Sequence, residues 1–147
     1  PGTMEGMIVY NRYNLLGTIE KNTDAGIYGR LDKTEELFGK KELVETAAKE
    51  EIVTGPAKMR CFLEDEVREF DIEVIKVDQE TAEINKGMMI RVTDEELLEK
   101  TGGIIQGMSG SPILQNGKLI GAVTHVFVMD STKGYGIFAE TMLEQLK

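Results

Sequence analysis

From Ala57 to Val77 the chain lays down two β-type segments, Ala57 to Leu63 and Val67 to Val77, with only Glu64, Asp65 and Glu66 between them. In the second, Phe70, Ile72 and Val74 alternate with Glu69, Asp71 and Glu73. A period of two puts the apolar side chains on one face and the charges on the other, the pattern of a strand with one buried and one wet face. After Val74 the apolar positions move to Ile75 and Val77, the opposite parity, which places a bulge or a strong twist there.

Shorter strand signals follow the same style. Gly26-Ile27-Tyr28-Gly29 is a β-type piece between glycines, and Met88 to Val92 is another strand. Thr93 then reads as a helix N-cap with Glu96 as its capping-box partner, and Gly102-Gly103 ends that short helix. Ile104-Ile105 leads into a turn from Gln106 to Ser111. Pro112-Ile113-Leu114, the Asn116-Gly117 turn and the run from Leu119 to Val128 form a hairpin. Asp130 to Gly134 is a loop, Tyr135 to Phe138 a last strand, and Ala139, Met142, Leu143 and Leu146 a helical stripe. Thr34 to Glu51 reads as loop with some helix: Leu37, Leu43, Val44, Ala47 and Ala48 have helical spacing, but Gly39 interrupts it. Sixteen glycines against three prolines fit many tight turns between short strands. Six to eight such strands and a terminal helix predict an all-β fold, a closed or nearly closed and largely antiparallel β-barrel. The length of 147 residues fits one domain, 1–147.

Composition narrows the function. A net charge of −9 argues against nucleic acid or an anionic membrane surface as the main partner. No apolar run approaches the about 18 residues of a membrane helix, so no membrane insertion is expected. The single cysteine, Cys61, excludes an internal disulfide and a cysteine-based metal site; alternating with Met59 and Leu63, it reads as core. Glu69, Asp71 and Glu73 have the residue types of a metal site, but alternation on a wet strand face is the ordinary reading, and neither metal nor cofactor is expected. One histidine, His125, is available for acid–base work. The chain opens Pro1-Gly2-Thr3 without an initiator Met or a signal peptide, as a cleaved product or a piece of a longer protein would.

Chemistry concentrates between Gly103 and Ala139. Gly107-Met108-Ser109-Gly110-Ser111-Pro112 sets a serine between glycines just before a strand. Glycines let the backbone turn sharply, exposing the hydroxyl and aiming amide N–H groups at one point, which suits an oxyanion hole. With the hairpin that follows and Leu119-Ile120-Gly121-Ala122-Val123-Thr124-His125, the segment resembles the chymotrypsin-like serine peptidases. That resemblance implies Ser109 as nucleophile, the Gly107 and Ser109 backbone N–H groups as oxyanion hole, and Thr124 and His125 at the start of the substrate-binding strand. Two residues depart from it. Met108 stands where many members have Asp, which excludes activation by an ion pair between that Asp and a new N-terminus. Ser111 replaces a glycine.

A longer resemblance is to the C-terminal part of the peptidase domain of the SpoIVB peptidase family, the sporulation-checkpoint serine peptidases of spore-forming Firmicutes. It is carried by Gly102 to Ile113, by Gln115 to Val128 and by Asp130 with Gly134-Tyr135-Gly136-Ile137, and extended by Gly26-Ile27-Tyr28-Gly29 and Gly55-Pro56-Ala57. It implies Ser109 as nucleophile and Asp94, fifteen residues earlier, as the acidic triad member. By residue type alone Asp94 reads as a helix-start acid. The chymotrypsin-like template would put the acid further upstream, and Asp130 is the reserve. The family's histidine lies in a Gly-His segment upstream of anything in this sequence, so the chain alone is expected to be inactive, and His125 to contact substrate rather than act as base. The resemblance further implies a protein or peptide substrate, an upstream PDZ domain as partner within the same protein, export from the forespore, and action between the two sporulation membranes on a regulatory protein. The alternative from another class is a non-catalytic module that binds an extended peptide along a barrel edge.

Overall fold

A computed structural model describes residues 6–7, 11–35 and 42–147. The start at Pro1 to Thr3, and Leu37 and Gly39 within the ambiguous stretch, lie outside the described residues. A first hairpin, β1 (Gly17–Thr23) and β2 (Gly26–Leu31), is a separate two-stranded sheet. The remaining strands, β3 (Gly55–Leu63), β4 (Glu66–Val77), β5 (Met88–Val92), β6 (Pro112–Gln115), β7 (Lys118–Val126) and β8 (Lys133–Phe138), close into a six-stranded antiparallel barrel. Their order around it is β3-β4-β5-β8-β7-β6, with β6 returning to β3. Among the described residues two short α-helices are complete, α1 (Glu95–Thr101) before the serine loop and α2 (Ala139–Glu144) after β8. Among the described residues no helix is long and apolar enough to cross a membrane.

The alternation in β4 is realised as expected. Phe70, Ile72 and Val74 are buried in the barrel, together with Met59 of β3, Ile90 of β5 and Ile113 of β6. On the outer face Lys58 stands opposite Asp71, Arg60 opposite Glu69 and Glu73 opposite Arg91, and each pair forms a salt bridge. Opposite charges directly across an antiparallel pair each add about 0.2–1 kcal/mol, at the low end when exposed. The bulge falls between Val74 and Lys76 in the β4–β5 pairing, where the parity of the apolar residues changes.

Two boundaries differ from the sequence reading. The turn between β3 and β4 contains two residues rather than three, because Glu66 already pairs with Leu63. Glu64 and Asp65 both take positive φ, +53° and +64°. Two-residue hairpin turns with both residues at positive φ match the twist of the strands, and Asn-Gly is their usual sequence. The N-cap of α1 is Asp94, not Thr93, and Glu96 pairs with Arg68 and Lys100 instead of closing a capping box. The Asp94 carboxylate wins the cap because it reaches the Leu97 N–H, which it accepts at 3.1 Å.

The rest of the ambiguous stretch seals one side of the barrel. Glu45 to Ala47 runs beside β7, with Leu119 N–H donating to the Glu45 carbonyl and Ala47 N–H to the Leu119 carbonyl. Ala47 and Ile52 are buried, and Lys49–Glu51 is a single 3-10 turn. The buried Gln115 amide ties this segment down: it accepts from Val53 N–H and donates to the Val53 and Pro56 carbonyls.

The β3–β4 turn yields a stability prediction. A non-glycine residue in the left-handed region costs about 1–2 kcal/mol, part of which glycine returns as extra freedom of the unfolded chain. Asp65→Gly should therefore stabilise the protein by about 0.5–1 kcal/mol. Thermal unfolding followed by circular dichroism should show the melting temperature raised by about 2–4 °C; a decrease would contradict the turn geometry.

Candidate active site

The segment between α1 and β6 is fixed at several points by main-chain bonds. Gly102 ends the helix in the left-handed region, its N–H donating to the Leu98 carbonyl. Ile104 N–H donates to Ser131 C=O at 2.7 Å, which seats the segment on the loop before β8. Met108 N–H donates to Ile105 C=O, and Ser111 N–H closes a turn on Met108 C=O at 3.0 Å. Gly110 N–H and the Ser111 carbonyl then bond to the carbonyl and N–H of Val123, at 2.7 and 3.0 Å, fastening the turn to β7. Gly107 and Gly110 have φ of +100° and +87°, which L side chains rarely adopt. Between them the Met108 side chain goes into the core and Ser109 is exposed. Met108 is thus an apolar anchor for the loop.

The Ser109 hydroxyl donates to the Thr124 carbonyl at 3.3 Å. Neither the Gly107 nor the Ser109 N–H donates to another described residue. A cleft of about 340 Å³ opens beside the serine. The barrel contributes Ser109, Thr124 and His125 to its walls, the β1–β2 turn contributes Asp24 and Ala25, and Asn85 bridges the two, accepting from the Thr124 hydroxyl and donating to the Asp24 carbonyl. The β7–β8 register slips between Val123 and His125, and such bulges re-aim side chains beside functional sites. The structure therefore brings Ser109, Thr124 and His125 to one cleft.

Asp94 is not among the residues of that cleft. Its Oδ1 accepts from Leu97 N–H at 3.1 Å, and its Oδ2 accepts from Asp71 N–H at 3.0 Å. It caps α1 and ties that helix to β4. Asp130 is also engaged locally: its Oδ1 accepts from the Thr132 hydroxyl at 2.6 Å and the Thr132 N–H at 3.1 Å. These bonds, the hydroxyl's first, hold the Asp130 carboxyl below its ordinary range. Cys61 is buried in the core cluster, and burial pushes its thiol pKa up. No group of three or more His, Cys, Asp or Glu able to hold a metal ion occurs among the described residues. Asp24, Tyr28 and Asn85, which the sequence reading did not select, also line the cleft. The nearest signal was Gly26-Ile27-Tyr28-Gly29, which follows Asp24 by two residues.

A six-stranded antiparallel barrel that carries an exposed serine on a glycine-flanked turn before a hairpin has the architecture of the chymotrypsin-like peptidases. The chain belongs to the SpoIVB peptidase S55 family, a serine protease family, whose model matches residues 1–143. No curated protein matches the sequence. Among solved structures, the Rv3671c protease from M. tuberculosis in its active form superposes with a TM-score of 0.63 at 15% identity, covering 88% of this chain and 56% of that one. A serine-to-alanine mutant of Rv3671c from M. tuberculosis H37Rv, an inactive form, gives 0.58 at 14%, covering 88% and 62%. A further inactive form of the Rv3671c protease gives 0.56 at 15%, covering 88% and 65%. The fold is shared with these proteins, and this chain spans less than two thirds of their length.

The two bonds of the Asp94 carboxylate predict its effect on stability. Asp94→Ala should cost about 0.5–2 kcal/mol, while Asp94→Asn should cost less because Asn caps nearly as well. Chemical denaturation of both variants measures the difference; a negligible loss in Asp94→Ala would show that the cap bond contributes little.

Proposed function

We propose that this chain is the nucleophile-bearing part of a serine endopeptidase that cleaves a regulatory protein during sporulation. The observation that carries the reading is the position of Ser109: its exposed hydroxyl sits on a turn held by main-chain bonds, with two uncommitted N–H groups near it in sequence and an open cleft beside it. In the reaction a histidine takes the Ser109 proton as Oγ attacks the substrate carbonyl. The Gly107 and Ser109 N–H groups stabilise the negative oxygen of the tetrahedral intermediate. The histidine then gives its proton to the leaving amine, and water releases the acyl group from Ser109 by the reverse sequence. Thr124 and His125 form the wall along which the substrate backbone lies. No cofactor takes part.

The Ser109 proton is directed at a main-chain carbonyl rather than an imidazole, which supports the reading that the base comes from elsewhere. In this proposal it comes from a Gly-His segment upstream of Pro1 in the same protein, as does a PDZ domain. The protein acts between the forespore and mother-cell membranes. Asp94 contributes by holding α1, and with it the start of the serine loop.

The test is the second-order rate of Ser109 labelling by a fluorophosphonate, read by intact mass. The chain 1–147 alone should label slowly, and the natural full-length protein should label faster by several orders of magnitude, since loss of one triad member costs on the order of 10⁴–10⁶. Fast stoichiometric labelling of 1–147 would assign the base role to His125. Ser109→Ala in the full-length protein should abolish cleavage while stability changes by about 1 kcal/mol or less. Cleavage that survives this substitution removes the peptidase reading.

A further inference from the structure

A serine side chain places its Oγ in one of three staggered positions about χ1, and an exposed serine without a partner samples them all. Ser109 is exposed, yet its hydroxyl is engaged with the Thr124 carbonyl at 3.3 Å. Whatever holds that carbonyl therefore decides where the hydroxyl points.

The strand register does not hold it. Val123 stands opposite Gly136 and His125 opposite Tyr135, so Thr124 is the extra residue of the β7–β8 bulge and has no partner across the pair. The extra residue of a bulge is left out of the ladder, and its direction is set by other contacts. Here the contact is the Thr124 side chain, whose hydroxyl donates to the Asn85 main-chain carbonyl at 2.6 Å. Asn85 is well anchored for this purpose. It lies in the single 3-10 turn Ile84–Lys86, within the connection from β4 to β5. Asp78 N–H donates to the Gly87 carbonyl and closes that connection at its base, and Lys86 N–H donates to the Glu83 carbonyl within it. The connection lies hard against β8: a Cβ on Gly87 would come within 2.5 Å of the Phe138 ring. On its other side the Asn85 amide is bonded to the Asp24 carbonyl at 2.8 Å. A rigid carbonyl, a hydroxyl and a second carbonyl thus lead in series from Asn85 through Thr124 to Ser109.

We infer that Thr124 is a positioning residue for the nucleophile: its hydroxyl, held by the Asn85 carbonyl, fixes the carbonyl that keeps Ser109 Oγ in one rotamer at the cleft. The inference rests on the peptidase reading and gives the Thr124 side chain a task separate from the substrate wall. The Ser109 proton is not trapped by this arrangement. It turns away from the carbonyl by rotation about the Cβ–Oγ bond, and that rotation leaves Oγ where χ1 has put it. The oxygen therefore stays in one place before and during attack, and the reaction does not have to wait for one rotamer among three.

Thr124→Val keeps the shape of the side chain and removes the hydroxyl, whereas Thr124→Ser keeps the hydroxyl and removes the methyl group. Two quantities are measured for each. The Hα–Hβ couplings of Ser109, read by NMR in the chain 1–147, report χ1 directly. The rate of fluorophosphonate labelling of Ser109, read in the natural full-length protein, reports reactivity. The wild type should show the couplings of a single rotamer. Thr124→Val should show couplings averaged over several rotamers and should label about 3–10-fold more slowly. Thr124→Ala, which puts no methyl group against the Asn85 carbonyl, should behave as Thr124→Val does and serves if that variant folds poorly. Thr124→Ser should return the single rotamer and recover most of the rate lost in Thr124→Val. A side chain with only a structural role would lower the melting temperature and leave the Ser109 couplings unmoved. Averaged couplings in the wild type, a single rotamer or a wild-type rate in Thr124→Val, or a loss that Thr124→Ser does not recover, overturns the assignment and leaves the peptidase reading standing. A wild-type protein whose Ser109 does not label overturns both.

Discussion

The barrel is closed by a seam of two residue pairs, Lys58 with Leu114 and Met59 with Ile113. Every other strand boundary is longer, so this pairing decides whether the sheet is a barrel or an open sheet with two bare edges. Side chains on both faces reinforce it. Met59 and Ile113 are fully buried beneath it, and Gln115, one residue further along β6, bonds the segment that leads into β3. A buried amide with three backbone partners is costly to disturb, because each group it releases would be left without a partner in a dry setting. The seam therefore combines apolar packing inside with polar fastening at its end. It also sets the chemistry, since β6 begins at Pro112, three residues after Ser109.

Placement of the serine is a main-chain affair. On one side the seam holds β6; on the other, the bonds of Gly110 and Ser111 with Val123 hold the turn to β7, and Met108 plugs into the core between them. None of these restraints depends on a charged side chain. The loop is held by its own main chain, and such preorganisation is what an oxyanion hole of the proposed kind requires. The charges are spent elsewhere. Glu69, Asp71 and Glu73 each face a cation across the outer sheet, a ladder that neutralises the acidic strand locally while the net charge of the chain stays at −9.

What the sequence made legible follows from how local each signal is. Alternation in Val67 to Val77, the change of parity at Ile75 and the Asn116-Gly117 turn each involve a few adjacent residues, and each is found in the structure. The exchange of Thr93 for Asp94 as N-cap was not legible, because both are good caps and the choice was made by which oxygen reaches Leu97 and Asp71. The β3–β4 turn was overcounted because Glu64-Asp65 carries no glycine or asparagine to mark a two-residue turn with both residues at positive φ. Strand β1 went unnoticed: its residues are almost all exposed, so Gly17 to Thr23 carries no apolar alternation to read. Ser109, Thr124 and His125 were found through one contiguous motif. Asp24 and Asn85 join them only through pairings across long stretches of chain, and no local pattern announces those.

That division has a consequence for how the cleft behaves. A two-stranded hairpin is marginal in water on its own, and this one exposes Ile19, Ile27 and Leu31 instead of burying an apolar face of its own. Its turn is held against the barrel by Asn85. The barrel wall of the cleft belongs to a cooperative sheet closed on itself, whereas the facing wall opens at a far smaller cost, as elements with few buried contacts do. Ser109, Thr124 and His125 are therefore held by the closed sheet, whereas the shape of the cleft depends also on the hairpin turn. In a molecule built this way the geometry of the cleft is set less by the stability of the barrel than by the seating of one turn.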